Sequence, residues 1–149
     1  MSQDVNDAFD LKRFVSAQEQ VFQRAVEELR QGRKRSHWMW FIFPQLRGLG
    51  RSHLAVHYGI GDLQEARAYL AHAVLGPRLE EATRAVLDSP ADSLSALFGD
   101  PDDMKFRSSM TLFHSAAAKP DDVYWQALER WCGGTQDEAT LSLLRQSSG

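Results

Sequence analysis

Residues 33–53, RKRSHWMWFIFPQLRGLGRSH, gather cations, hydrogen-bonding side chains and aromatics into one short stretch. From Leu29 to Gly61 there is no Asp or Glu, while Arg30, Arg33, Lys34, Arg35, Arg47 and Arg51 stand beside His37, His53 and His57. Of the 17 Lys and Arg, six fall here, leaving 11 against 20 Asp and Glu in the rest of a chain whose net charge is only −3. Such asymmetry points to an anionic partner. Trp38 or Trp40 can stack on a base or sugar, Arg33 and Arg35 can hold phosphate, and His37 or Gln45 can hydrogen bond the ligand. A packing reading competes: Trp38, Trp40, Phe41 and Phe43 are core material by type, and cations at positions 33–35 suit the C-terminal dipole of a preceding helix.

A second segment, DPDDMKFRSSMTLF at residues 100–113, combines acids, cations and small hydroxyls. On a helix Asp102 and Lys105 are three apart and Asp103 and Arg107 four apart, the spacing of two surface ion pairs worth a few tenths of a kcal/mol each. The same helix places Lys105, Arg107, Ser108, Ser109 and Thr111 near an N-terminus whose amides and dipole favour anions. A carboxylate beside a lysine is also an acid or base when burial shifts its protonation.

The elements that must position these residues read as helices. Asp10 stands as an N-cap, and Leu11, Phe14, Val15, Val21, Phe22, Ala25, Val26 and Leu29 recur at helical spacing, which predicts one helix to about Arg30 closed by Gly32. The run SHWMWFIF is a short buried strand or helix that Pro44 ends, and a surface loop and a short helix at 53–58 follow. Asp62 caps a helix. Pro77 fits the first turn of the next, whose apolar face is Leu75, Leu79, Ala82, Val86 and Leu87. Ser93 or Asp92 caps a short turn, and Gly99, Asp100 and Pro101 break the chain before the helix that carries Lys105. Gly133 and Gly134 stop a helix that starts after Pro120 and Asp121, and Asp137 caps the last one. The expected fold is all-α, a compact single domain of about eight helical segments over residues 10–146, with a flexible N-terminal tail at 1–9 and a C-terminal tail at 147–149.

At 149 residues the chain suits one domain. A pI near 5.9 argues against a general nucleic-acid coat and leaves only a local basic surface. Cys132 is alone, without CxxC company, which fits a reducing cytoplasm. The absence of a long apolar run and of a basic-then-apolar N-terminus implies a cytoplasmic protein without membrane insertion. The histidines are dispersed, and His53 and His57 lack a third ligand nearby, so no metal is expected; no GxGxxG, Walker or GxSxG motif is present, so neither is a cofactor.

The blocks DLKRFVSAQE, GRKRSHWMWFIFPQLRGLGRS, YGIGDLQEARAYLAHAVLGPRL and LFGDPDDMKFRSSMTLF resemble the bacterial family catalogued as domain of unknown function 1810, from about Phe9 to Leu144. That resemblance implies an all-helical single domain and carries no activity with it. The chain is also distantly similar to the NADAR superfamily, helical proteins that act on N-glycosidic bonds of ADP-ribose-type and riboflavin-pathway molecules. On this resemblance Glu19 matches an early catalytic Glu and Lys105 with Phe106 a late Lys-Phe pair, while an early Lys has no counterpart. The composite expectation is a nucleotide- or ADP-ribose-like ligand held between residues 37–45 and 102–111, with hydrolysis of its N-glycosidic bond. Arg33, Arg35, Lys105, Arg107, Ser108 and Ser109 would bind it, Trp38 or Trp40 would stack, and Glu19, His37 or Asp103 would be the acid, base or cation-stabilising group. The alternative is a non-enzymatic adaptor whose basic patch docks an acidic protein or, less favoured by the overall charge, nucleic acid.

Overall fold

The computed structural model describes residues 7–148. They form ten helices in chain order: α1 Lys12–Gln18, α2 Phe22–Gln31, α3 Met39–Ile42, α4 His53–His57, α5 Leu63–Ala71, α6 Leu75–Leu87, α7 Leu94–Phe98, α8 Asp102–Ala117, α9 Val123–Cys132 and α10 Glu138–Ser148. Among the described residues the only β pairing is an isolated parallel bridge between Leu46 and Ile60. The fold is all-α, as the periodicity indicated, and no described helix is long and apolar enough to cross a membrane.

Local chemistry sets most boundaries. The Asp62, Ser93 and Asp122 side chains cap α5, α7 and α9 by accepting the amides of Glu65, Ala96 and Trp125. Asp137 accepts the amide and hydroxyl of Thr140 at the start of α10. Gly32 and Gly133 close α2 and α9 with φ of +88° and +61°, a region that suits glycine. The apolar run at 36–43 resolves as a single helical turn, α3.

Two expectations at the N-terminal end are corrected. The first helix is two, because the chain turns at residues 19–21 and α2 restarts at Phe22, so that Phe14, Gln18 and Phe22 are all buried. The cap of α1 comes from Asp7, whose carboxylate accepts Leu11 N at 2.7 Å and Lys12 N at 3.1 Å, while Asp10 itself adopts φ +53°. Residues 1–6 of the expected tail, and Gly149 at the other end, lie outside the described residues. The backbone of residues 147 and 148 belongs to α10.

Helix α8 is the central element, packed against α5, α7, α9 and α10. Its Phe106, Met110, Leu112 and Phe113 are fully buried with Phe14, Trp38, Phe43, Tyr69 and Leu79. Burying an aromatic or aliphatic side chain of this size contributes about 1.5–3 kcal/mol. Phe43 and Phe106 meet edge to face at 5.0 Å and Phe98 stacks on Phe106 at 5.0 Å, which fixes α3 and the turn after it against the first half of α8.

A buried ion pair ties α1 to α5. Arg13 Nη2 meets Glu65 Oε2 at 2.8 Å, both side chains under a tenth exposed. The remaining guanidinium donors go to the carbonyls of Phe9, Asp10, His57 and Gly59, and Glu65 Oε1 accepts Gly61 N. These bonds offset desolvation of the charges.

Candidate functional site

The two chemically suggestive segments meet in space. Lys105, one turn into α8, lays its ammonium 5.5 Å from the centroid of the Trp40 ring. Asp102, three residues earlier on the same face, accepts Lys34 Nζ at 3.0 Å through one oxygen and faces Lys105 Nζ at 3.6 Å through the other. Lys34 itself lies 5.2 Å over Trp38. One carboxylate therefore joins two lysines, each seated against a tryptophan. Lys34 is nearly enclosed, with a side chain 9% exposed, while Lys105 at 28% keeps a solvent-facing side.

Below Lys105 runs a narrow crevice walled by Met39, Trp40, Phe43, Gln45, Ala55, Tyr58 and Gly59. Its volume is about 10 Å³, close to the space one water needs. Gln45 reaches it because the chain leaves α3 at Phe43 and is held by the Leu46–Ile60 bridge, with Ile60 N donating to Gln45 O at 3.0 Å and Arg47 N to Ile60 O at 2.7 Å.

Trp38 does not line this crevice. It is 0% exposed, and its Nε1 donates to Glu28 Oε1 at 2.9 Å; a ring enclosed on both faces cannot stack on a ligand, so the stacking role expected of it is withdrawn. Ser108 and Ser109 are also buried, and the Ser108 hydroxyl donates to Met104 O. Both are out of a ligand's reach. Ser109 Oγ has no hydrogen-bond partner.

The remaining nominated residues are elsewhere. Glu19 is exposed and pairs with Arg78 Nη2 at 3.2 Å across α1 and α6. Asp103 and Arg107 occupy the α8 flank near Cys132: burial pushes that thiol up, Arg107 works against the rise and Asp103 adds to it. Arg33, Arg35 and His37 are exposed and line no part of the crevice. Of the expected set, the structure brings together Trp40, Gln45 and Lys105.

Three participants escaped the sequence reading. Asp102 was seen only as the ion-pair partner of Lys105, a contact the structure makes at 3.6 Å, and Lys34 only as a charge. Glu28, buried on α2, accepts Arg35 N, Ser36 N, Ser36 Oγ and Trp38 Nε1 between 2.6 and 3.1 Å. Burial pushes its carboxyl up, but the hydrogen bonds from Ser36, Arg35 and Trp38 outweigh that and hold it below the ordinary glutamate value. Glu28 thereby fixes the turn that presents the basic residues 33–37. An acid among Ala25, Val26 and Leu29 was the available signal.

A far larger concavity is a different one, an open groove of about 1220 Å³ between α5, α6 and the start of α9. Its Arg84 and Arg30 already face Glu80 at 3.0 Å and Glu81 at 4.0 Å, and acids and bases are mixed along its walls. Size favours that groove, but the convergence of a cation, an aromatic face and an amide favours the crevice, which we take as the site.

Among curated proteins none matches the chain. The fold matches the crystal structure of the conserved hypothetical protein Rv1873 from Mycobacterium tuberculosis with a TM-score of 0.90 and 55% identity, over 93% of this chain and 99% of that one. A family model described as protein of unknown function (DUF1810) matches residues 8–144. With that span and the conserved hypothetical relative at this identity, the chain belongs to the DUF1810 family.

Proposed function

We propose that the protein binds a nucleotide- or ADP-ribose-like anion at the mouth of the crevice between α3 and α8, with Lys105 on phosphate and Trp40 against the base or sugar. The observation that carries this reading is the Lys105–Trp40 pair at 5.5 Å, a cation held over a half-buried aromatic ring at the wall of a concavity. Lys105 is free to change partners. Its contact with Asp102 is loose at 3.6 Å, whereas Lys34 holds Asp102 at 3.0 Å, so an incoming phosphate takes Lys105 without leaving a carboxylate unpaired. Gln45 offers an amide to a base edge or ribose hydroxyl. Arg33, Arg35 and Arg51 contribute a positive surface that draws anions in, an effect salt screens.

Cleavage of the ligand's N-glycosidic bond is the enzymatic extension of this proposal. An oxocarbenium-like centre needs a carboxylate close by, and Asp102, which faces the crevice-lining Lys105 at 3.6 Å, takes this role in place of Glu19 and Asp103. The test is a thermal-shift titration with AMP, ADP-ribose and inorganic pyrophosphate, followed by chromatography for a released base. A ligand at ~100 times its Kd adds about 2.7 kcal/mol to apparent stability, several degrees for a domain of this size. No shift with any of the three removes the nucleotide reading.

The adaptor reading has its own observation, the exposed Leu54 and Val56 on α4 beside Arg51, His53 and His57. It predicts capture of an acidic protein or nucleic acid that Lys105→Ala leaves unchanged.

A further inference from the structure

A site for a nucleotide needs some hundreds of cubic ångströms, and the crevice under Lys105 has about 10 Å³. Resting on the ligand reading above, we infer that residues 51–55 form a lid that closes against Gly50 and that the structure holds the site closed. Of these five residues none is buried and only Ala55 is even half-buried. Among the described residues, no hydrogen bond or ion pair joins residues 50–54 to anything outside 50–58; the bonds there are internal, Ala55 N to Ser52 Oγ, Val56 N to Ser52 O and Tyr58 N to Leu54 O. A segment so sparsely tied opens at small cost.

Its far end is pinned. Arg47 Nε donates to Val56 O at 3.1 Å and Arg13 Nε to His57 O at 2.9 Å, and both guanidinium groups also donate to Gly59 O. Tyr58 packs on Phe14 at 5.8 Å and Phe41 at 5.3 Å, and Gly59 touches the Arg47 backbone so closely that a Cβ there would lie 2.9 Å from Arg47 Cα. The lid therefore pivots about residues 56–59 and swings away from Gly50, which follows the core-packed Leu49. Ala55 is the lid residue that lines the crevice, and it closes onto Gly50, where an added Cβ would stand 2.8 Å from Ala55 Cβ and 3.5 Å from Gln45 Nε2. That approach is a latch only a residue without a side chain permits, and Gly50→Ala wedges it open.

The experiment places a thiol inside. Cys132→Ser removes the native thiol, and Met39→Cys puts one at a crevice wall that is 2% exposed. Labelling by a soluble disulfide reagent should run at least ~10-fold faster than global unfolding, and Gly50→Ala should raise it a further ~10-fold, as expected for a local opening. Labelling only at the global unfolding rate, unmoved by Gly50→Ala, overturns the lid. If the thiol variant does not fold, amide exchange in the native sequence decides: Ala55 and Val56 should be accelerated by Gly50→Ala while Ile60 and Arg47 are not, and uniform behaviour of all four overturns the lid. AMP separates the two ideas, because protection of the thiol supports both, whereas fast labelling that AMP leaves unchanged keeps the lid and discards the nucleotide.

Discussion

Lys105 and Trp40 come from helices more than 60 positions apart in sequence, yet the Lys105 ammonium sits 5.5 Å from the Trp40 centroid. The neighbouring Lys34 makes the same kind of contact with Trp38 at 5.2 Å, and Asp102 links the two ammonium groups. The inner pair is structural, because Trp38 is enclosed and Lys34 nearly so. The outer pair is only partly covered, with Trp40 half-buried and the Lys105 side chain 28% exposed, and is the one we propose meets a ligand.

The two tryptophans should therefore separate stability from binding. Trp38→Ala should cost about 3–5 kcal/mol, the range for emptying a buried aromatic site, and it also strips Glu28 of a donor. Trp40→Ala should cost no more than ~1–2 kcal/mol, in keeping with its partial burial, while weakening nucleotide binding. Urea unfolding of both variants beside a binding titration checks the pair.

Glu28→Gln should destabilise the protein by ~1.5–3 kcal/mol at neutral pH, the value of hydrogen bonds to a charged acceptor. The folded carboxyl lies below its ordinary value of 4.5, so its contribution is fully present above that pH and is lost as pH falls through the lower folded value. The native protein should accordingly lose stability more steeply than Glu28→Gln below about pH 4.5, and the two curves should approach each other in acid. Parallel curves would deny Glu28 this role.

Glu65→Ala leaves the Arg13 guanidinium buried without its counter-charge and should cost about 3–5 kcal/mol. Because Arg13 also holds His57 O and Gly59 O, the same change should loosen residues 57–59. Denaturation and amide exchange at Tyr58 and Ile60 measure both effects.

Much of the fold was legible because its signals are local. Asp62, Ser93 and Asp137 cap helices wherever the chain carries them, and Gly32 and Gly133 mark ends that need positive φ. The turn at residues 19–21 was not legible, since the apolar positions before and after it continue in helical phase. Asp7 and Asp10 are equally suited to capping, and only the path of the chain chooses Asp7. The meeting of residues 40–45 with 102–105 followed from unusual polar groups beside apolar runs. Which tryptophan faces outward did not, because that depends on how α3 settles on α8. Ser108 and Ser109 looked like donors from composition, but the packing around α8 buries that part of its surface.

The central claim is that Lys105 holds an anionic ligand, and the most direct measurement is the affinity of the native protein and of Lys105→Ala for the nucleotide that raises the unfolding temperature most. Loss of a charge-assisted hydrogen bond predicts binding weakened by ~1.5–3 kcal/mol, roughly 10- to 150-fold, with folding stability changed by no more than ~0.5–1 kcal/mol because Lys34 keeps Asp102 paired. Unchanged affinity in a folded Lys105→Ala protein would contradict the account.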